Sequence, residues 1–391
     1  MKVIYYIVFL LVTHAGSAQP IRRLDNSQIS TDSLVNRVQY LMKEANVSGL
    51  GLAVFNQNKP VFIRTFGLAD VPRQKPLSDS SVLYAASLAK VVFAYQVMQL
   101  VEEGILDLDK PLVTYLDRPL VDYKIKGWRR GYADLQGDVR YTKITGRMCL
   151  DHTTGFPNWR WFEPDKKLKI KFEPGTRYSY SGEGLYLLQF VIEQLTGKDY
   201  ETLSQQRVFQ PLGMHHSSQV WQSRFDSLIA YGHNAEGKPY ELMRWQEASA
   251  GGSMSTSLSD YVKFYTALIQ HRGLQLTSFK EMIRPQVRIR SKRQFGPDAL
   301  VDGSDNDSIQ LSYGLGVGLL HSPKGWAFFK EGHDDGWGHY CICFPDKEIA
   351  ILIMTNNDTG ESLFKDLLDY AIKDIYTPWQ WENYLPFAAK K

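Results

Sequence analysis

Hydrophobic and polar positions follow two different periods at the start of this 391-residue chain. In the segment Thr31–Glu44, apolar residues recur every three to four positions behind a Thr-Asp start, which predicts an amphipathic helix. Two strand-like runs follow, over residues 49–55 and 60–66, with the polar turn Asn-Gln-Asn-Lys between them. This arrangement predicts a β-hairpin.

The last third of the chain is again rich in strand-like runs, whereas the middle has helical character. Strands are predicted over Leu311–Leu320, Trp326–Lys330, His339–Phe344 and Glu348–Thr355, and a closing helix over Leu363–Ile375. Helices are predicted over Ala89–Glu103, Gly184–Leu195, Tyr200–Val208 and Leu258–Gln270.

This order of elements predicts an α/β protein of the α+β type, in a single domain over residues 19–391. One antiparallel sheet would be built from both chain ends and flanked by helices, with a mainly helical subdomain inserted in it. The α/β part would cover about 31–85 and 305–378, and the helical part about 86–270. The basic, aromatic segment 123–145 is expected to be a surface loop or a wall beside a cleft.

The N-terminus has the features of a signal peptide. Lys2 precedes an unbroken apolar run from Val3 to Val12, and small residues follow at positions 15–18. We expect cleavage before Gln19 and a secreted or periplasmic protein without a stable membrane span. An uncleaved anchor is the alternative, although the run is short for crossing a bilayer.

Charge and cysteine content exclude several classes of function. Lys and Arg exceed Asp and Glu by 45 to 42, without a basic cluster interleaved with aromatics, so no nucleic-acid partner is expected. The three cysteines, Cys149, Cys341 and Cys343, are too few for a disulfide framework. We expect them to be small buried apolar residues, since none has a convincing local base to make it a nucleophile.

A serine and a lysine lie three residues apart at the start of the most apolar predicted helix. The run from Leu88 to Val101 is apolar on nearly every side, which predicts a buried helix. Lys90, in its first turn, is costly to bury unless it is paired or functional. Ser87 shares its helix face, and a desolvated lysine can activate a serine for acyl transfer. The ordinary alternative is a serine N-cap beside a lysine that extends to solvent.

Two further segments carry candidate chemistry. Within residues 172–184, Tyr180 follows a Pro-Gly turn and precedes a helix, so its phenol could project into a cleft. A tyrosine near a lysine can have a lowered pKa and act as a general base. Within residues 331–340, His333, His339 and two aspartates lie among glycines that border a strand, where a backbone N–H could bind an oxyanion. A metal site is the weaker alternative there.

Taken in order, five motifs resemble those of one family: class C β-lactamases, penicillin-binding-protein-like D-amino-acid peptidases and related esterases. The family's Ser-x-x-Lys, "LLtHtSGlp", "PGt…YSN" and "aGGlyST" motifs resemble, in turn, Ser87-Leu88-Ala89-Lys90, the stretch 150–157, Pro174-Gly175-Thr176 with Tyr180-Ser181, and the stretch 251–256. Its last motif, Lys-Thr-Gly or His-x-Gly, falls at His333 in this alignment. The similarity covers nearly the whole mature chain.

The resemblance implies a serine hydrolase that needs no cofactor and no metal. Ser87 would form an acyl-enzyme while Tyr180 and Lys90 relay the proton. The backbone N–H groups of Ser87 and Gly336 would hold the oxyanion, and His333 would orient a substrate carboxylate. The substrate would be a small molecule or peptide-like, with peptidoglycan fragments among the candidates.

Two departures from the family pattern bear on the substrate. Gly182 stands where the family has an asparagine whose amide often contacts the substrate, and Asp335 stands where the family usually has glycine. An acidic residue there would repel the carboxylate of a penicillin or a D-Ala-D-Ala end. We therefore expect an esterase- or D-amino-acid-peptidase-like enzyme. The alternatives are a β-lactamase or D-alanyl-D-alanine carboxypeptidase, and a non-catalytic homologue that binds cell-wall fragments or a protein.

Overall fold

The computed structural model describes residues 20–125 and 131–387, so the predicted signal peptide and residues 126–130 of the aromatic segment lie outside the described residues. In this part of the chain there are thirteen strands: β1 Ile21–Arg22, β2 Gln28–Ile29, β3 Gly49–Asn56, β4 Lys59–Asp70, β5 Lys75–Pro76, β6 Val82–Tyr84, β7 Ser255–Ser257, β8 Val287–Arg288, β9 Ser312–Tyr313, β10 Gly318–Ser322, β11 Gly325–Asp334, β12 Trp337–Phe344 and β13 Ile349–Thr355. The described residues also include nine α-helices: α1 Thr31–Glu44, α2 Ala89–Glu102, α3 Gly146–Leu150, α4 Gly182–Thr196, α5 Tyr200–Ser204, α6 Leu258–Ile269, α7 Leu276–Met282, α8 Phe364–Ile372 and α9 Trp379–Glu382.

Both chain ends contribute to one antiparallel sheet, as predicted. Its nine strands lie in the order β5-β4-β3-β13-β12-β11-β10-β9-β8. The N-terminal hairpin β3–β4 joins the C-terminal strands through β3 and β13, with Leu52 opposite Ile353. The fold class predicted from the sequence is therefore confirmed.

The sheet separates two hydrophobic cores, because neighbouring residues of a strand point to opposite faces. On β3, Leu52 and Val54 pack into the core that contains α1 and α8. Ala53 and Phe55 pack into the larger core under the helical part, which includes α2, α4 and α6. With both faces covered, β3, β12 and β13 are buried along their whole length.

Several predicted boundaries were wrong, and local backbone geometry explains them. The run 311–320 divides into β9 and β10 around Gly316, whose φ of +81° interrupts the extended chain. The closing helix ends at Ile372 because Lys373 adopts a left-handed conformation. Strand β11 continues four residues beyond its predicted end at Lys330, so residues 331–334 belong to the sheet.

Burial of the three cysteines agrees with the small apolar role expected of them. All three cysteines are buried and free. The described part of the aromatic segment forms two short 3₁₀ turns, Ala133–Leu135 and Val139–Lys143. No helix within residues 20–125 and 131–387 has the length and apolar character needed to cross a membrane.

Candidate active site

Ser87 lies in a single 3₁₀ turn, Ala86–Leu88, between strand β6 and helix α2. Ala86 has a φ of +46°, a conformation that costs free energy for a residue with a Cβ atom. This sharp turn carries the chain from the strand into the helix with Ser87 at the corner. Helix α2 begins after Leu88 without a side-chain cap, so Ser87 is not its N-cap.

Lys90 is buried directly beneath Ser87, with only 2% of the residue exposed. Its Nζ lies 2.8 Å from Ser87 Oγ and donates to the carbonyl oxygen of Gly251. Burial, reinforced by the charge of Lys330, holds the pKa of Lys90 well below its ordinary value. A neutral amine has a lone pair, so it can accept the Ser87 proton across this contact. The alternative of a lysine extending to solvent is excluded by its burial.

Tyr180 completes a compact group with Ser87 and Lys90. The Ser87 side chain acts to lower the pKa of the Tyr180 phenol, and Lys90 Nζ lies 5.3 Å from the centre of its ring. Burial raises the pKa of Tyr180, while the charge of Lys330 acts in the opposite direction. The net direction is the reverse of the lowered pKa expected from the sequence. The tyrosine is therefore held as a phenol, and Lys90 is the better-placed base.

A second buried lysine, Lys330 on β11, is not among the site residues predicted from the sequence. Its Nζ donates to the Tyr180 hydroxyl at 3.2 Å and forms an ion pair with Glu331 at 2.6 Å. Burial acts to lower the pKa of Lys330, but Glu331 and Tyr180 raise it above the ordinary lysine value. Lys330-Glu331-Gly332 is a Lys-x-Gly sequence on a strand, which is the signal that could have identified it.

At the hairpin tip beyond Lys330, the groups expected to bind substrate, His333 and the Gly336 N–H, contact other parts of the protein instead. His333 is largely exposed, and its Nδ1 pairs with Glu361 Oε1 at 2.7 Å. The Gly336 N–H donates to Asp358 Oδ1 at 2.5 Å, so in this structure it is not directed to an oxyanion. Asp335 is exposed at the tip. The structure thus brings Ser87, Lys90 and Tyr180 together with Lys330 rather than with His333 or Gly336.

The free edge of β11 passes close to the nucleophile turn. Pairing between β10 and β11 stops at Phe329, so no strand within the described part of the chain pairs with the following residues on that side. A Cβ atom at Gly332 would lie 3.1 Å from the carbonyl oxygen of Ala85. This glycine lets the strand approach the turn that carries Ser87.

Gly182 is explained by an indole ring that occupies the space beside it. A Cβ atom at Gly182 would lie 2.2 Å from two ring carbons of Trp159, and one at Gly251 would lie 2.4 Å from the same ring. The ring centre is 5.8 Å from Lys90 Nζ. Trp159 therefore takes up the volume that an asparagine side chain at position 182 would need.

The imidazole ring of His152 packs against the ring of Tyr180. The two rings lie 4.3 Å apart with an interplanar angle of 34°, and His152 Nδ1 accepts the Ser181 N–H at 3.2 Å. Burial, together with the charges of Lys330 and Lys90, holds the pKa of His152 well below its ordinary value. A neutral imidazole thus fixes the position of the phenol.

A cavity of about 200 Å³ opens on the β6 side of the site. Tyr84, three residues before Ser87, forms one wall, and Trp337 and Asp334 form others. The two histidines proposed as metal ligands point apart, because His339 Nε2 contacts the carbonyl oxygen of Tyr84 while His333 contacts Glu361. Among the described residues, no three His, Cys, Asp or Glu side chains are grouped so that they could hold a metal ion.

Comparison with known proteins identifies relatives of this chain. The Beta-lactamase family profile matches residues 34–373. A penicillin-binding protein of Bacillus subtilis is 24% identical over 334 residues, covering 76% of this chain and 66% of the relative, just under two thirds of its length. A lovastatin esterase of Penicillium rubens is 27% identical over 297 residues, covering 65% and 73%. The octameric penicillin-binding protein homologue from Pyrococcus abyssi shares the fold, with a TM-score of 0.68 and 18% identity over 89% of this chain and 80% of that one.

Proposed function

The chain belongs to the Beta-lactamase family of serine hydrolases, and on that premise we propose that it cleaves esters or amides through an acyl-enzyme on Ser87. One observation carries the proposal: Ser87 Oγ lies 2.8 Å from a buried lysine amine whose pKa is held well below its ordinary value. That arrangement supplies a nucleophile and its base in contact.

The geometry gives each residue a step in the reaction. Ser87 Oγ attacks the carbonyl carbon while neutral Lys90 takes its proton. The oxyanion is held by the Ser87 N–H and by a backbone N–H on the free edge of β11. As the bond to the leaving group breaks, the Tyr180 phenol donates its proton to the leaving group and is reprotonated from Lys90. Water then attacks the acyl carbonyl carbon while neutral Lys90 takes its proton; the bond from that carbon to Ser87 Oγ breaks, Lys90 returns the proton to Ser87, and the acid is released.

Two features favour an ester or peptide-like substrate over a β-lactam. Trp159 fills the space beside Gly182 where the family's substrate-contacting amide would lie. Lys330, the cation nearest to Tyr180, is already neutralised by Glu331 at 2.6 Å and so offers little net charge to a substrate carboxylate. The second candidate, a β-lactamase or D-alanyl-D-alanine carboxypeptidase, is favoured by the resemblance to penicillin-binding proteins.

We further propose that the enzyme acts outside the cytoplasm, as the N-terminal segment 1–18 suggests. Fractionation of cells that express the full chain, with N-terminal sequencing of the product, tests this. Cleavage before Gln19 supports the proposal, and a cytoplasmic product that retains Met1 contradicts it.

The test of function is covalent labelling. The purified protein is exposed to a fluorophosphonate and, separately, to a labelled penicillin, and the adduct is mapped by mass spectrometry. We expect the fluorophosphonate alone to label Ser87, and Ser87→Ala to remain unlabelled. Labelling of Ser87 by both probes would favour the β-lactam-recognising candidate. No adduct with either probe would support the non-catalytic homologue instead.

Replacing Lys330 should move the pH dependence of the reaction. The base is neutral Lys90, so the rate rises with pH through the pKa of Lys90 and then becomes constant. Lys330 lowers the pKa of Lys90 and Glu331 raises it, so Lys330→Met removes the first effect and leaves the second uncompensated. The acid limb of the kcat/KM profile should therefore shift to higher pH.

The matched control is Lys365→Met, which removes an exposed lysine on α8 and should leave the limb in place. If the acid limb of the kcat/KM profile is unchanged or shifts to lower pH in Lys330→Met, then Lys330 does not lower the pKa of the Lys90 amine.

A further inference from the structure

Two tryptophans form a stacked pair beside the active site. The rings of Trp159 and Trp161 lie 4.8 Å apart and are nearly parallel, with an interplanar angle of 8°. Tyr186 packs against Trp159 at 5.0 Å, whereas 37% of Trp161 remains exposed. We refer to Trp159 and Trp161 as the indole pair.

The residue between the two tryptophans anchors the pair to the protein interior. Arg160 is 3% exposed and forms a buried ion pair with Glu183, with Nη2 to Oε2 at 2.7 Å. The backbone N–H of Arg160 donates to the same carboxylate at 2.9 Å. Because Arg160 points inwards, its two neighbours are held together on the other side. The segment is thus fixed by buried charge while it presents apolar rings at the surface.

The indole pair adjoins the base rather than the proton donor. Trp159 packs between Gly182 and Gly251, both of which lack the side chain that would collide with it. Its ring centre lies 5.8 Å from Lys90 Nζ, and the Gly251 carbonyl accepts a hydrogen bond from that same amine. The Tyr180 hydroxyl, by contrast, contacts Lys330.

From this placement we infer that the indole pair binds a flat, aromatic group carried on the acyl part of the substrate; the inference rests on the proposed acyl-enzyme at Ser87. The leaving group must reach the Tyr180 proton, which lies on the Lys330 side. The acyl chain is left to extend along the wall formed by Trp159 and Trp161. Indole faces favour offset stacking with another aromatic ring beyond the area they bury, so the site selects an aryl over a saturated acyl chain.

Boronic acids isolate the acyl side, because they have no leaving group. Boron accepts a lone pair from Ser87 Oγ, the serine proton passes to Lys90, and no other bond breaks. The probes are 2-phenylethylboronic acid and its saturated counterpart, 2-cyclohexylethylboronic acid. We expect the parent to have the lower inhibition constant for the phenyl compound. Trp161→Ala should reduce the ratio of the cyclohexyl to the phenyl inhibition constant by about 3- to 10-fold. Trp161→Phe should retain most of the preference.

The matched control is Phe162→Ala. Phe162 lies with Trp161 in the 3₁₀ turn Arg160–Phe162. It is 70% exposed but meets Trp161 edge-on, at 6.1 Å and 74°. Phe162→Ala should leave the ratio of the two inhibition constants unchanged. A similar fall in Phe162→Ala would assign the effect to the turn as a whole and overturn the role of the stacked pair.

A second comparison, of benzyl acetate with cyclohexylmethyl acetate, varies only the alcohol. If Trp161→Ala changes the ratio of these two rates and not that of the boronic acids, the pair serves the leaving group and the acyl assignment is wrong. If the parent hydrolyses p-nitrophenyl acetate but Trp161→Ala alters neither ratio, the inference alone fails. If the parent neither binds a boronic acid nor hydrolyses p-nitrophenyl acetate, the proposed function fails and the inference with it.

Discussion

Substitution of Lys90 by methionine should reduce kcat/KM for p-nitrophenyl acetate by about 10³- to 10⁴-fold, the upper range for loss of a general base. The amine lies 2.8 Å from Ser87 Oγ and, within the described residues, is the base best placed to take its proton. Tyr180 cannot replace it, because burial raises the pKa of the phenol.

The same substitution should leave the protein as stable as the parent or more stable. Methionine is similar in length to lysine but brings no amine into a site that is 2% exposed. A thermal melt alongside the kinetics therefore separates lost chemistry from lost structure. Lys43→Met, at an exposed lysine of α1, is the control for both measurements. Activity within tenfold of the parent would rule out Lys90 as the base.

Substitution of Glu183 by leucine should destabilise the fold by about 3–5 kcal/mol. The carboxylate is 1% exposed and accepts three hydrogen bonds from Arg160, at 2.7–3.0 Å. Without it, the buried guanidinium keeps a hydrogen bond to the Gly131 carbonyl at 2.7 Å and a distant carboxylate, Asp134, at 3.9 Å. Urea unfolding measured by circular dichroism gives the free energy of unfolding.

Two controls identify the cause of that loss. The double variant Arg160→Met/Glu183→Leu removes both charges and should recover most of the stability, because the cost arises from one unpaired buried charge. Glu103→Gln breaks the more exposed pair with Arg207 and should cost less than about 1 kcal/mol. A double variant as unstable as Glu183→Leu would instead assign the loss to packing.

Local patterns predicted the parts of the molecule that depend on neighbouring residues. Helix α1 has the predicted bounds, because a periodic apolar face and a Ser30 cap determine it within one segment. The contact between Ser87 and Lys90 follows from their three-residue spacing. Burial of Lys90 was also predictable, since the helix that carries it is apolar on nearly all sides.

Features that depend on distant packing were not predicted. The last motif falls at His333 in the sequence alignment, but the side chain that reaches Tyr180 is Lys330. The Lys-x-Gly sequence at 330–332 is an alternative match, and the course of β11 past the nucleophile turn decides between the two. The pKa of Tyr180 is raised because burial, which depends on distant packing, outweighs the opposing effect of Lys330. Similarly, the sequence shows only that Gly182 lacks the amide of the family's asparagine. The structure shows that the Trp159 ring occupies the space of that side chain.

The union of β3 with β13 has a consequence for how the polypeptide acquires its structure. The central ladder joins residues 50–56 to residues 349–355, so the middle of the sheet cannot close until nearly the whole chain has been synthesised. Contacts between such distant segments form slowly, because a very long loop must close first. During that interval β3 presents an apolar, unpaired edge that can associate with other chains. Export before folding would keep this edge extended, and a truncation before residue 349 would leave it permanently unpaired.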